Sequence, residues 1–286
     1  MSILLDILIV CLSIAVVARG AFWLVDSAAR IAKSFGVSEL VIGLTVVAFG
    51  TSVPEFAVTI LAAVRKMGDI SVGNIVGSNI FNLGFILGLC AIVRPIRVTR
   101  KAVTRDGLFL IGVTVLLVTL MTDFGVGRLE GLGLMLLLAL YVGLLGARPK
   151  EVQIEGRLEK ARWKDGLLLL LGLACVLVGS HFMVSSAVTI ARAVGISNWA
   201  VAVTVVAFGT SVPELATSLV ATTRGYHGIS AGNLIGSDLF NLLGVLGLAA
   251  FIRPLSVAPE SRISILILVG VVTLVVILMR SGWRVS

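Results

Sequence analysis

Two glutamates, Glu55 and Glu214, each close an eleven-residue stretch that occurs twice without change: Thr45 to Glu55 and Thr204 to Glu214 both read TVVAFGTSVPE, 159 residues apart. Each copy lies inside a long apolar run. A carboxylate at the centre of a bilayer costs about 3 kcal/mol even on lenient insertion scales, so it persists only against a partner, a cavity or a bound ion. Two of them in identical frames point to one shared ion site.

The residues around each glutamate fit that chemistry. Pro54 has no N–H to give and its ring clashes with the carbonyl four residues back, so a helix through this stretch should break around Gly50, Thr51 and Ser52. The break is expected to free carbonyls such as that of Ala48 toward a cation, with the hydroxyls of Thr51 and Ser52 adding oxygens. The second copy offers Ala207, Thr210, Ser211 and Glu214 in the same order. One kinked helix whose Ser or Thr bonds its own backbone would be ordinary; two copies, each with a carboxylate, call for a common purpose.

A second repeated element follows each glutamate. Gly73-Asn74-Ile-Val-Gly77-Ser78-Asn79-Ile-Phe81-Asn82 corresponds to Gly232-Asn233-Leu-Ile-Gly236-Ser237-Asp238-Leu-Phe240-Asn241. Ser78 and Asn82 are four apart, hence on one helical face, and Ser237 and Asn241 repeat the placement. Gly73 and Gly77 have the small-residue spacing that lets another helix backbone approach. Asp238 lies about 100° and 300° around the helix from Ser237 and Asn241, so it is left outside the core set. Amide and hydroxyl oxygens beside two carboxylates suit a hard, oxygen-seeking cation such as Ca2+ or Na+.

The elements that must position these groups are membrane helices. With 58% hydrophobic and 13% charged residues and a mean hydropathy of +1.12, the chain carries about half the charge of a soluble domain. Apolar runs near 3–25, 38–64, 70–93, 103–121, 128–146, 166–190, 198–222, 229–252 and 262–279 are each long enough to cross. Shifting the sequence by 159 residues also superposes Asp6 on Asp165, Gly36 on Gly195 and Arg94-Pro95 on Arg253-Pro254. The duplication therefore spans nearly the whole chain. Because the first unit holds five crossings, the second enters from the opposite side, an inverted pair. In that register a tenth crossing would begin near 286. The expectation is an all-α polytopic membrane protein of nine to ten helices: a first repeat over 1–146, a linker over 147–165 and a second repeat over 166–286 that lacks its last helix.

The net charge of +8 sorts by side rather than marking a nucleic-acid surface. Sixteen Lys/Arg fall in loops on one side, six of them between Arg148 and Lys164, against six on the other. Basic loops face the cytoplasm, which places the N-terminus outside and the 147–165 loop inside. No basic region or small-residue cleavage site precedes the first apolar run, so it reads as a span rather than a leader. Cys11, Cys90 and Cys175 show no metal or redox spacing. His181 and His227 are the only histidines and HExxH does not occur, so that motif supports no hydrolase; a passive channel would conduct without a counter-ion.

The paired GTSVPE and GNxxGSxxFN elements resemble the two alpha-repeats of the cation/calcium exchanger superfamily, most closely its prokaryotic sodium/calcium exchangers. The resemblance covers almost the full length. It implies ten helices, with four repeat helices forming a central cation site past which the first and sixth helices slide. Carried onto this chain, the ligands are Glu55 and Glu214 as shared carboxylates, Thr51, Ser52, Thr210 and Ser211 as hydroxyl or carbonyl donors, the carbonyls of Ala48 and Ala207, and Ser78, Asn82, Ser237 and Asn241. Potassium-dependent relatives usually have Asp at the position of Asn241, which lowers the expectation of K+ co-transport. The implied activity is secondary active antiport of Na+ for Ca2+; the alternative is a Ca2+/H+ antiporter of the same superfamily. Neutral Asn82 and Asn241 and the many hydroxyls favour Na+, because proton coupling needs only carboxylates. The expected partners are the two ions and the lipid bilayer of the cell membrane, with no cofactor, nucleic acid or obligatory protein partner. The apolar faces of the first and sixth spans, without strong polar anchors, would suit sliding.

Overall fold

The computed structural model describes residues 3–100, 102–146, 161–196, 207–259, 261–281 and 284–285. The expected linker, apart from its last five residues, and the start of the seventh span lie outside them. The helices are α1 (Ile3–Phe35), α2 (Glu39–Thr51), α3 (Val53–Val64), α4 (Gly68–Val93), α5 (Val103–Asp123), α6 (Arg128–Gly146) and α7 (Trp163–Ala193). They continue with the short turn α8 (Ala207–Gly209), α9 (Val212–Arg224), α10 (His227–Ile252) and α11 (Ser261–Arg280). Seven helices are long and apolar enough to cross a membrane, and the bent pair α2–α3 makes an eighth crossing among the described residues. The chain is thus an all-α polytopic membrane protein built as an inverted repeat.

Sequence chemistry accounts for the boundaries at the breaks. Ser38 caps α2, its hydroxyl accepting from Val41 N, as Ser at an N-cap does. The helix then bends by 50° between α2 and α3, because Pro54 cannot continue the hydrogen-bond ladder. Pro213 sits in the same place in α9, with Ser211 outside helical geometry at φ −90°, ψ 8°.

Helices α1 and α7 are longer than the runs read from hydropathy. At 33 and 31 residues they extend about 45–50 Å against a hydrocarbon core of about 30 Å. Arg30 and Lys33, expected in a loop, are on the end of α1, and the last three residues of the expected linker are helical.

Burial is arranged around α10, of which 78% of the apolar window is inside the protein, compared with 17% for α6. Leu4, Ile92, Leu129, Leu136 and Leu170 are exposed and make up part of the surface that lipid covers. One apolar core joins α4, α5, α6, α10 and α11 through residues such as Ile86, Leu110, Leu134, Leu246 and Leu268. A second joins α1 and α7 to α2 and α9 through Leu24, Ala28, Val47, Val176 and Val220. The α1–α7 contact is backbone-close: a Cβ on Gly20 would stand 2.6 Å from Cys175 Cβ and 2.8 Å from Gly172 O.

These two helices do carry polar anchors, contrary to the reading of smooth apolar faces. Arg30 Nε meets Asp165 Oδ1 at 2.6 Å, and Asp165 Oδ2 also accepts from Arg162 N at the head of α7. Arg224 of α9 reaches Asp26 at 3.6 Å and lies over the Phe22 ring. Hydropathy averaging hides such groups, because a few charges at a helix end scarcely change a twenty-residue mean.

Four two-residue strands record the inversion. Ile96–Arg97 pairs antiparallel with Arg284–Val285, and Gly125–Val126 with Leu255–Ser256. A shift of 159 residues carries each member of one pair onto a member of the other. Counting crossings puts the two pairs on opposite membrane faces, as a two-fold axis in the membrane plane requires.

Candidate ion-binding site

The two breaks and the two helices that follow them meet at the centre of the protein. Glu55, in the first turn of α3, and Glu214, in the first turn of α9, are fully buried. Each is held by the other repeat. Ser52 Oγ donates to Glu214 Oε1 at 3.2 Å, and Ser211 Oγ donates to Glu55 Oε1 at 3.3 Å. Ser237 adds a longer bond to Glu214 Oε1 at 3.4 Å, and its hydroxyl lies 3.4 Å from that of Thr51. Thr210 is buried at the break preceding α9.

The second element forms an adjoining amide network. Asn82 Nδ2 donates to Asp238 Oδ1 at 3.0 Å, while Asn241 Nδ2 donates to Asn79 Oδ1 at 3.0 Å and to Ser78 Oγ at 3.4 Å. Asn79 Nδ2 in turn donates to the main-chain oxygen of Asp238. Asn82 and Asn241 both stand at π-helical turns, Asn82–Ile86 and Phe240–Val245, a local widening that often marks functional sites and that no residue pattern announced.

Five carboxylate and amide oxygens of this region are buried and accept no hydrogen bond, Glu55 Oε2, Glu214 Oε2, Asp238 Oδ2, Asn82 Oδ1 and Asn241 Oδ1, and the Thr210 hydroxyl is likewise without a partner. Leaving a buried acceptor unsatisfied costs about 1–3 kcal/mol, so five in one region are unusual in a stable interior. All are hard oxygen acceptors, the donor set a Ca2+ or Na+ ion takes.

Hydrogen bonds link nine of the ten side chains expected from the sequence, with Thr210 buried beside them. The backbone expectation needs correction in the first copy. The Ala48 carbonyl is not freed by the break: it accepts from Ser52 N at 3.1 Å and from the Thr51 hydroxyl at 3.3 Å, because the helical ladder persists to Ser52 before Pro54 interrupts it. In the second copy Ser211 N bonds Phe208 O instead, and Ala207 begins the turn just before it. The expected close approach at Gly73 and Gly77 is absent among the described residues, whereas Gly232 and Gly236 do press on Leu40 and Leu44 of α2. A cavity of about 480 Å3 runs instead along Gly73, Gly77, Ser78, Phe81 and Phe208, and Ser78 belongs to both its wall and the site.

Sequence reasoning missed two groups. Asp238, set outside the core by helix angle, is fully buried and bonded to Asn82; the neighbour that decides its role is on another helix. The other group is a pair of buttresses: Asn74 Nδ2 donates to Thr59 Oγ1 at 3.0 Å, and Asn233 Nδ2 to Ser218 Oγ at 2.9 Å. Thr59 and Ser218 each lie four residues beyond a glutamate, a signal that was available.

The family described as "Sodium/calcium exchanger protein" matches residues 5–146 and 165–285, both repeats. The chain belongs to that family. Among curated members, it is 36% identical to the putative antiporter CaxA of Alkalimonas amylolytica over 90% of this chain and 85% of that one. It is 31% identical to the sodium/calcium exchanger MaX1 of Methanosarcina acetivorans over 99% and 94%. A solved structure of the sodium-calcium exchanger NCX_Mj superposes with a TM-score of 0.87 at 32% identity, covering 100% of this chain and 94% of that one. Relatives in this exchanger family are transporters rather than enzymes.

Proposed function

We propose that this exchanger-family chain is an antiporter that moves Ca2+ across the cell membrane against Na+, with Glu55 and Glu214 as shared ligands. The observation that carries this reading is the set of buried, unpartnered oxygens contributed by both repeats. Thr51, Ser52, Thr210, Ser211, Ser78, Asn82, Ser237, Asn241 and the carbonyl of Ala207 complete the coordination. Na+ is preferred to H+ as the coupling ion for two reasons: amide and hydroxyl oxygens serve a metal ion but not a proton, and MaX1 and NCX_Mj are named as sodium/calcium exchangers.

Competition gives the mechanism. The two glutamates present two negative charges, which one Ca2+ or two Na+ neutralise; an empty pair of buried carboxylates is costly, so the site closes favourably only when loaded. If the site opens to one face at a time, downhill Na+ then drives Ca2+ the other way. The α1–α7 pair, held together by its close glycine contact, moves as one body past the α2–α4 and α9–α10 helices. The basic loops place the N-terminus outside and the 147–165 linker in the cytoplasm, between a first repeat over 1–146 and a second over 166–286.

Uptake of 45Ca2+ into proteoliposomes under an outward Na+ gradient, with pH clamped on both sides, tests the coupling. Na+-dependent uptake is expected; uptake that ignores Na+ and follows a proton gradient would select the Ca2+/H+ alternative. Single cysteines at Arg97 and Thr122, probed with an impermeant maleimide in right-side-out cells, test the orientation: only the one at Thr122 should label.

A further inference from the structure

Several threonines of these helices settle their hydroxyl on their own backbone. Thr45 donates to Val41 O at 2.7 Å, Thr114 to Ile111 O at 2.8 Å and Thr223 to Val220 O at 2.9 Å, the ordinary behaviour of the residue inside a helix. Thr217 of α9 does not. It is fully buried, and its Oγ1 has no hydrogen-bond partner among the described residues. The mirrored position in the first repeat is Val58, so the repeat architecture does not require a polar group there. Thr217 follows Glu214 by three residues, which puts the two side chains one turn apart with Cβ atoms about 5–6 Å from each other. Glu214 Oε2 is unpartnered as well.

The hydrogen-bonded neighbours on α9 lie on the side of α10: Ser218 Oγ accepts from Asn233, and the Thr222 and Ser230 hydroxyls share a bond of 2.8 Å. Thr217 falls on the other side of Glu214, about 60° round the helix, where Arg224 and Val220 follow at about 80° and 120°. Those two meet α1, Arg224 at Asp26 and Phe22, and Val220 in the core shared with Leu24 and Ala28. Thr217 is therefore placed at the seam between the glutamate and α1. Along α9 it lies from Glu214 toward the face of Arg94, whose Nη1 donates to Thr223 O at 3.4 Å; in the orientation proposed above that face is cytoplasmic. We propose that Thr217 is a further cation ligand, used when the site opens to the cytoplasm. Once α1 has moved, its Oγ1 and Glu214 Oε2 hold the ion between the central site and the inner face. The inference rests on the Na+/Ca2+ reading and adds to it a ligand that serves one face only, because Val58 gives the outer half no counterpart. A neutral hydroxyl oxygen accommodates either ion.

The test is Thr217→Val in the full chain, which gives the second repeat the residue the first already carries, with Thr217→Ser as the variant that keeps the hydroxyl. Right-side-out and inside-out membrane vesicles present one face each to 45Ca2+ under an outward Na+ gradient, and a cysteine at Arg97, labelled in parallel, marks the face. On the Arg97 face, Thr217→Val should raise the half-saturating Ca2+ concentration about fivefold, the effect of losing one neutral oxygen contact, and Thr217→Ser should restore it. On the opposite face the value should stay within error of the wild type. Equal shifts on both faces, a shift only on the face opposite Arg97, or no shift at all would overturn the proposal. So would a Thr217→Ser variant as impaired as Thr217→Val, since the hydroxyl would then not be what acts. If Thr217→Val fails to give a monodisperse protein, Thr217→Ala is measured in its place against the same outcomes. Failure of the Na+/Ca2+ reading itself shows differently, as wild-type Ca2+ uptake that ignores Na+ from either face.

Discussion

Ser52 donates its hydroxyl to Glu214 Oε1 at 3.2 Å, joining the break of one repeat to the carboxylate of the other. Ser211 and Glu55 make the mirrored contact at 3.3 Å. Neither glutamate is oriented by its own repeat alone, so the site exists only when the two halves are docked. Replacing either serine by alanine removes one charge-assisted donor, worth about 1.5–3 kcal/mol. Ser52→Ala and Ser211→Ala should each weaken Ca2+ binding by about tenfold or more, with similar effects by symmetry, as read by isothermal titration. Strongly unequal effects would mean that the two contacts do different jobs.

Glu55→Gln and Glu214→Gln keep the shape of the side chain and remove its charge. Each should abolish Na+-driven 45Ca2+ uptake, a loss of about a hundredfold or more, because a divalent ion in a low-dielectric site depends on both charges. The proteins should still extract as monodisperse particles, since a neutral amide is cheaper to bury than a carboxylate. Retained exchange in either variant would remove the shared site.

Asn241→Asp adds a carboxylate next to Asn79 and Ser78. Ca2+ affinity, measured by scintillation binding across a pH series, should change and become more pH-dependent, yet binding should survive. A protein that no longer binds Ca2+ at any pH would show that the amide donor to Asn79 Oδ1 matters more than the charge of the site.

Asp165 both caps α7 and pairs with Arg30 of α1. Asp165→Ala should destabilise the folded protein by about 2 kcal/mol, combining a lost helix cap with a partly exposed ion pair. The change should appear as a lower melting temperature in detergent, while Arg224→Ala at the more exposed pair with Asp26 should cost less than about 1 kcal/mol.

Gly20→Leu would drive a side chain into the backbone of α7 at Gly172. Because backbone cannot yield as a side-chain tip can, the cost should exceed the usual 1–3 kcal/mol of overpacking. Loss of the monodisperse species by size exclusion is the expected readout; the same substitution at Gly112, where nothing lies within 4 Å, should be tolerated.

The duplicated stretch determined a good deal by itself. Mean hydropathy placed the chain in a membrane, an odd number of crossings per repeat inverted the second copy, and Pro54 and Pro213 located the breaks, since each of these follows from local composition or from parity. The glutamates, hydroxyls and asparagines were legible for the same reason: polar groups in the middle of an apolar helix are too costly to be incidental. What the linear chain could not give was who faces whom across the repeat. The crossed Ser52–Glu214 and Ser211–Glu55 pairs, the ion pairs anchoring α1, and the contact of Asp238 with Asn82 all depend on contacts between helices 130 or more residues apart. A helical angle fixes a residue's direction on its own helix, but only the packing of a second helix decides whether that direction meets lipid, another side chain or a cation.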